Sequence, residues 1–217
     1  MKATLHYIYD PLCGWCYGAE PLVTAAADIA GLDVALHAGG LWPEPTRLPA
    51  ETRRYIEQAD ARIAATSGQP FGAGYLSGLL HDPTMVLDSS PPIAAILAVQ
   101  SVRADAALPM LRAIQRAHYV EGRRVVELDV LRDLAASCGV DRGTFETAFA
   151  AAAADAHIDD TRQLMHRVGS QGFPTFALEK EGRLHGVAHQ RFAGAAGAFR
   201  EWLENEIGAE RPSREPA

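Results

Sequence analysis

Residues 3–16 read Ala3-Thr4-Leu5-His6-Tyr7-Ile8-Tyr9-Asp10-Pro11-Leu12-Cys13-Gly14-Trp15-Cys16. The β-branched and aromatic residues of the first half predict a strand, and Asp10-Pro11 ends it. Downstream, Leu22, Val23, Ala26, Ala27, Ile29 and Ala30 recur at helical spacing until Gly31 supplies a stop. The Cys13/Cys16 pair therefore falls at or just inside the first turn of a helix. The first backbone N–H groups of a helix have no intrahelical acceptor, and with the positive end of the helix dipole they stabilise a thiolate placed there. The thiolate is the attacking form of cysteine, which suits Cys13 as nucleophile. Cys16, one helical turn on, is placed to attack a mixed disulfide formed at Cys13 and is the candidate resolving thiol.

Other uses of a CxxC pair fit less well. A structural zinc site normally takes four ligands, but Cys138 is the only other cysteine and no histidine follows the pair closely. No metal is expected. Covalent haem attachment requires CxxCH, and Tyr17 follows Cys16. A purely structural pair is compatible with cysteine as a small buried hydrophobe, although a strand-to-helix junction is an unusual place for one.

Near the other end, Gly172-Phe173-Pro174-Thr175-Phe176-Ala177-Leu178, a turn at Glu181-Gly182, and Leu184-His185-Gly186-Val187 read as two strands of a hairpin. A proline entering a central strand removes a ladder donor and is accommodated at the first position, sometimes in a cis peptide. Pro174 is a candidate for that conformation, although a Phe-Pro bond taken alone is trans far more often than cis.

Tyr9-Asp10-Pro11-Leu12-Cys13-Gly14-Trp15-Cys16-Tyr17-Gly18, Gly172-Phe173-Pro174-Thr175 and the long helical stretch between them resemble the DsbA family of thioredoxin-fold oxidoreductases, especially its FrnE-like branch that includes protein disulfide isomerases. The resemblance spans nearly the whole chain. It implies an α/β protein whose thioredoxin fold, built on a mixed four-stranded sheet, is interrupted by an all-helical insertion domain. It further implies that Pro174 is cis, that Phe173 lies beside the redox pair, and that Gly14, Trp15, Phe173 and Pro174 form the active-site loops around Cys13 and Cys16. The implied activity is thiol–disulfide exchange on a disulfide- or dithiol-containing protein or peptide, without a bound cofactor.

Two departures bear on mechanism. Many thioredoxin-fold enzymes carry a buried acid six residues before the first cysteine, whereas Tyr7 stands there in this chain. His6, Asp10 and Glu20 are the nearest polar alternatives, each more simply read as a solvated or capping group. The Gly14-Trp15 dipeptide also lacks the histidine of strongly oxidising relatives, so a milder potential is expected by analogy. Trp15 reads either as an exposed docking surface or as simple packing.

With 217 residues and 48% hydrophobic content the chain can bury a substantial core, and its net charge of −7 argues against nucleic acid or an anionic membrane as principal partner. Met1-Lys2 passes directly into a strand pattern and no segment has the apolar length of a membrane span, so a cytoplasmic protein is expected. In that reducing compartment the pair is held mostly as thiols, as befits catalytic cysteines.

A strand at Asp33–His37 is followed by Gly39-Gly40, Pro43, Pro45 and Pro49, a breaker-rich connection. The division drawn is a thioredoxin-like first part at 1–42, a helical insertion at 43–160, a thioredoxin-like second part at 161–207, and a disordered tail at 208–217. Within the insertion, helices are expected at Arg53–Thr66, from the Ser89-Ser90-Pro91-Pro92 start through Arg103, at Leu108–Tyr119 and at Leu128–Cys138, with a loop over Gly68–Gly78. An alanine-rich helical segment then runs from Asp141 to Val168 with a break near Asp159-Asp160. Phe71 and Tyr75 either pin the loop or touch substrate. Cys138 is read as a small buried residue, and His118, His157 and His166 as capping or surface groups.

Two other activities follow from the same residues. Chains of this architecture that resemble 2-hydroxychromene-2-carboxylate isomerase act on small molecules with glutathione, which makes glutathione a further candidate partner. Such enzymes typically use a single Ser or Cys. A non-catalytic binding module using the groove between the domains is the third reading.

Overall fold

The computed structural model describes residues 3–208; of the disordered tail expected at 208–217 only Gly208, which caps the last helix, is described, and 209–217, like Met1 and Lys2, lie outside the described residues. Strand β1 (Ala3–Tyr9) delivers the chain to helix α1 (Gly14–Ala27), which returns it to β2 (Leu32–Ala38). β1 and β2 pair in parallel, Ala3 opposite Leu32 and Tyr9 opposite Ala38. After a long helical stretch, β3 (Thr175–Lys180) pairs antiparallel with β1, and β4 (Arg183–Val187) closes a hairpin around Glu181-Gly182. The sheet order is β2-β1-β3-β4, a mixed four-stranded sheet with β1 and β3 central. This is the expected α/β arrangement. Buried on both faces, β1 reads as Leu5, Tyr7 and Tyr9 toward one layer with Ile8 toward the other.

The helical stretch comprises α2 (Ala50–Ser67), α3 (Ser90–Val102), α4 (Ala107–Tyr119), α5 (Leu128–Ser137), α6 (Arg142–Ala151) and α7 (Ala154–Arg167). α3 buries Ile93, Ala94, Ala95, Ile96, Ala98 and Val99 around nearly its whole circumference, which makes it the centre of the bundle. A last helix, α8 (Ala196–Ile207), packs Phe199 and Leu203 against α1 and the sheet; it was not anticipated. The buried side chains of sheet and helices belong largely to one continuous cluster.

Several local expectations are corrected. The break expected at Asp159-Asp160 lies instead at Ala152-Ala153, and α7 continues through the boundary drawn between 160 and 161. Its N-terminal alanines gave no breaker signal, and the exposed aspartates are tolerated on a solvent face. Gly68–Gly78 is not simply a loop: residues 74–78 form a wide helical turn, followed by a tight turn at Leu79–His81. Gly72 and Gly74 allow the backbone to approach the carbonyls of Val120 and Glu121, where a β-carbon would stand 2.1 and 2.5 Å from the oxygens. Neither serine caps α3; Asp88 accepts the Ser90 N–H, while the Ser89 hydroxyl accepts the N–H of Trp42. Cys138 ends α5 half-buried rather than in the core, and its carbonyl accepts from Arg103. His118 is buried, not a surface group.

Candidate active site

Cys13 is the N-cap of α1, in extended conformation, and its Sγ accepts the N–H of Cys16 at 3.4 Å. The helix entrance thus points a backbone donor, and the positive end of the helix dipole, at this sulfur. Both cysteines are free, and both are buried, with Cys16 wholly enclosed. Cys16 Sγ accepts the N–H of Asp10 at 3.4 Å. Burial, followed by the hydrogen bond and charge of Cys13, pushes the Cys16 thiol well above its ordinary range. The pair is therefore asymmetric: Cys16 is held as a thiol behind a sulfur that faces the helix dipole.

The Phe173–Pro174 peptide bond is cis, and the Phe173 carbonyl oxygen lies 3.9 Å from Cys13 Sγ. Gly39, at the end of β2, makes room for this loop: a β-carbon there would stand 2.4 Å from the Phe173 ring. Arg162 of α7 secures the same region by donating to the carbonyls of Gly39 and Gly40, at 3.2 and 2.8 Å. Trp15 is 45% exposed. With Gly18, Leu22, Phe173, Pro174, His189 and Ala193 it borders an open, mostly apolar groove of about 380 Å³. On the other side of Trp15 a smaller cavity of about 210 Å³ runs from Cys13 and Gly14 toward α2 and α4. The predicted residues Cys13, Gly14, Trp15, Cys16, Phe173 and Pro174 are thus gathered in one place.

Tyr7 occupies the position of the absent acid and donates its hydroxyl to the Cys16 carbonyl at 2.9 Å. Stacked on Tyr9 and tilted against Phe176, it is fully buried, and that burial raises its hydroxyl well above the usual phenol range. It stays neutral and holds the helix entrance. His6, on the opposite strand face, bonds His37 at 2.9 Å and Glu179 at 3.1 Å. Glu20 is engaged by Thr24, by Gln69 and by Arg112 at 2.9 Å. Asp10 is different. It is fully buried, its Oδ1 accepting the N–H of Leu12 at 2.8 Å and its Oδ2 that of Leu41 at 2.7 Å. Burial raises its carboxyl, opposed by these bonds and by that of Ser89.

The sequence reading missed Asp60. It projects from α2 and is 3% exposed, and its Oδ2 accepts the Tyr75 hydroxyl at 2.8 Å. A signal was present: Ile56, Asp60 and Ile63 share one helical face, so a carboxylate sits inside an apolar stripe. Phe71 and Tyr75 join Tyr17, His118 and Tyr119 in an aromatic cluster under the pair, with Tyr17 and Tyr119 stacked at 4.9 Å. Among the described residues no group of 3 or more His, Cys, Asp and Glu side chains is placed to hold a metal ion.

A family model described as a DSBA-like thioredoxin domain matches residues 4–196. Among solved structures, the cytosolic disulfide reductase DsbM from Pseudomonas aeruginosa is 47% identical, with a TM-score of 0.89 over 95% of this chain and 100% of that one. The same protein solved with GSH matches at 47% identity and a TM-score of 0.87, over 94% and 99%. A candidate protein disulfide isomerase from Nitrosomonas europaea is 26% identical, with a TM-score of 0.81 over 97% and 100%. At 17% identity and a TM-score of 0.61, over 96% and 100%, 2-hydroxychromene-2-carboxylate isomerase shares the fold. No curated protein sequence matches the chain.

Proposed function

The chain belongs to the DSBA-like thioredoxin domain family and is a thiol–disulfide oxidoreductase, and on that premise we propose that it reduces disulfides in the cytoplasm through Cys13 and Cys16, with glutathione as its electron donor. The observation that carries this reading is the asymmetry of the pair, one sulfur at a helix N-cap and the other buried as a thiol behind it. Cys13 thiolate attacks the substrate disulfide, forming a Cys13–substrate bond and releasing one thiol. Cys16 then attacks Cys13 Sγ, releasing the second thiol and leaving the enzyme disulfide. Two glutathione molecules restore the dithiol and leave as glutathione disulfide. Phe173 and Pro174 hold the substrate segment beside Cys13, and Trp15 offers an exposed ring for docking.

The reductive direction and the cytoplasmic setting follow the Pseudomonas protein, a cytosolic disulfide reductase, and glutathione follows its complex with GSH. No described helix is long and apolar enough to cross a membrane. The segment 43–160 is the proposed helical insertion, which supplies α2 and α4 to the walls around Cys13. A second cysteine within reach of the first distinguishes this reading from single-sulfur glutathione isomerisation and from simple binding. Cys16→Ser is expected to accumulate a mixed disulfide with a disulfide-containing peptide, seen by intact mass as one peptide adduct removable by dithiothreitol and absent from the Cys13→Ser, Cys16→Ser variant. Failure to trap any adduct at Cys13 would overturn the assigned roles.

A further inference from the structure

The small cavity beside Cys13 contains a buried acid, Asp60. Its walls are apolar, formed by Leu12, Leu48, Ile56, Ile63, Leu80 and Met85, and its titratable groups are Cys13, Tyr55, Asp60, Tyr75, His118 and Tyr119. Two residues of the wall, Trp42 and His118, each carry a buried nitrogen without a hydrogen-bond partner among the described residues. Asp60 Oδ2 is fixed by the Tyr75 hydroxyl, while Oδ1 faces the residue that follows the nucleophile: a β-carbon on Gly14 would stand 2.7 Å from it. A glycine is required where this carboxyl meets the helix entrance.

We infer that Asp60 is the proton-transfer residue of the first exchange step, carrying the Cys13 proton to the thiolate that leaves the substrate. This rests on the reading of Cys13 as nucleophile. Cys13–SH gives its proton to the Asp60 carboxylate, the thiolate attacks, the substrate S–S bond breaks as the Cys13–S–S bond forms, and the neutral carboxyl hands the proton to the departing sulfur. The sum is dithiol-side Cys13–SH plus disulfide giving mixed disulfide plus free thiol, with no other reactant. Burial pushes the Asp60 carboxyl up to about 6, which suits an acid that must gain and lose a proton near neutrality. Three of the groups facing it do not titrate there: His118 is depressed by burial to about 4, and burial raises the Tyr75 and Tyr119 hydroxyls.

The test is the leaving group. A dialkyl disulfide such as hydroxyethyl disulfide releases a basic thiolate that needs a proton, whereas bis-nitrophenyl disulfide releases a stable aryl thiolate that does not. The dialkyl-to-aryl ratio of second-order rate constants is expected to fall about a hundredfold or more in Asp60→Asn. In the wild type this ratio falls as pH rises through the carboxyl's range. Asp60→Asn flattens it, and Tyr75→Phe, which removes a bond that lowers the carboxyl, moves the fall to higher pH. An unchanged ratio in Asp60→Asn, or a Tyr75→Phe profile that does not move, overturns the assignment while leaving Cys13 as nucleophile. A wild type that reacts with neither disulfide at Cys13 overturns the underlying reading instead.

Discussion

Cys13→Ser lowers the rate of disulfide exchange by at least about 10³-fold, the scale on which enzymes lose activity when their nucleophile is removed. The expectation follows from the placement of the sulfur. Cys13 caps α1 with its Sγ on the Cys16 N–H and beside the Phe173 carbonyl, whereas Cys16 is wholly enclosed and its thiol is pushed up by burial. A serine hydroxyl fills the same space and accepts the same N–H, so the fold is preserved while the nucleophile is lost. Cys16→Ser differs: it keeps the first step and stops at the mixed disulfide. Rate constants measured with one peptide disulfide for both variants check this, and comparable first-step losses in the two would contradict it.

Asp10→Ala costs about 3 kcal/mol of stability and disturbs the cysteine loop. The carboxylate accepts the buried N–H groups of Leu12 and Leu41, and each donor left unpaired costs about 1–3 kcal/mol. The same residue's backbone N–H reaches Cys16 Sγ and its carbonyl accepts the Cys13 N–H at 3.2 Å, so its loss is transmitted to both sulfurs. Because burial raises this carboxyl, the wild type loses stability as pH rises through and above the ordinary carboxylate range, a slope that Asp10→Ala lacks. Urea unfolding at neutral pH should show a lower midpoint with unchanged slope. An unaltered midpoint would contradict the role assigned to Asp10.

The strand ending at Asp10-Pro11, the helix opened by Cys13 and the hairpin after Pro174 were legible because each is marked by a local signal: β-branched residues, a helical apolar period, a glycine turn. What could not be read depends on distant partners. Asp10 resembles a strand breaker until Leu41 and Ser89 are brought against it, and Tyr7 gives no hint in sequence that its hydroxyl will hold the Cys16 carbonyl. The Ala152-Ala153 break lies in a run with high helix propensity throughout, so only packing could place it. His118 sits on the buried side of an amphipathic helix, and nothing local distinguishes it from an exposed histidine. Asp60 was within reach, since its helix was expected and its neighbours at Ile56 and Ile63 mark the inward face.

The central claim, that Cys13 and Cys16 form a reversible redox pair, is tested most directly by equilibrating the protein in glutathione buffers of graded potential, alkylating the free thiols and weighing the products. A single two-electron transition that removes both alkylation sites at Cys13 and Cys16, while Cys138 is alkylated throughout, is the predicted result. Absence of any transition, or one that pairs Cys138 instead, would contradict it.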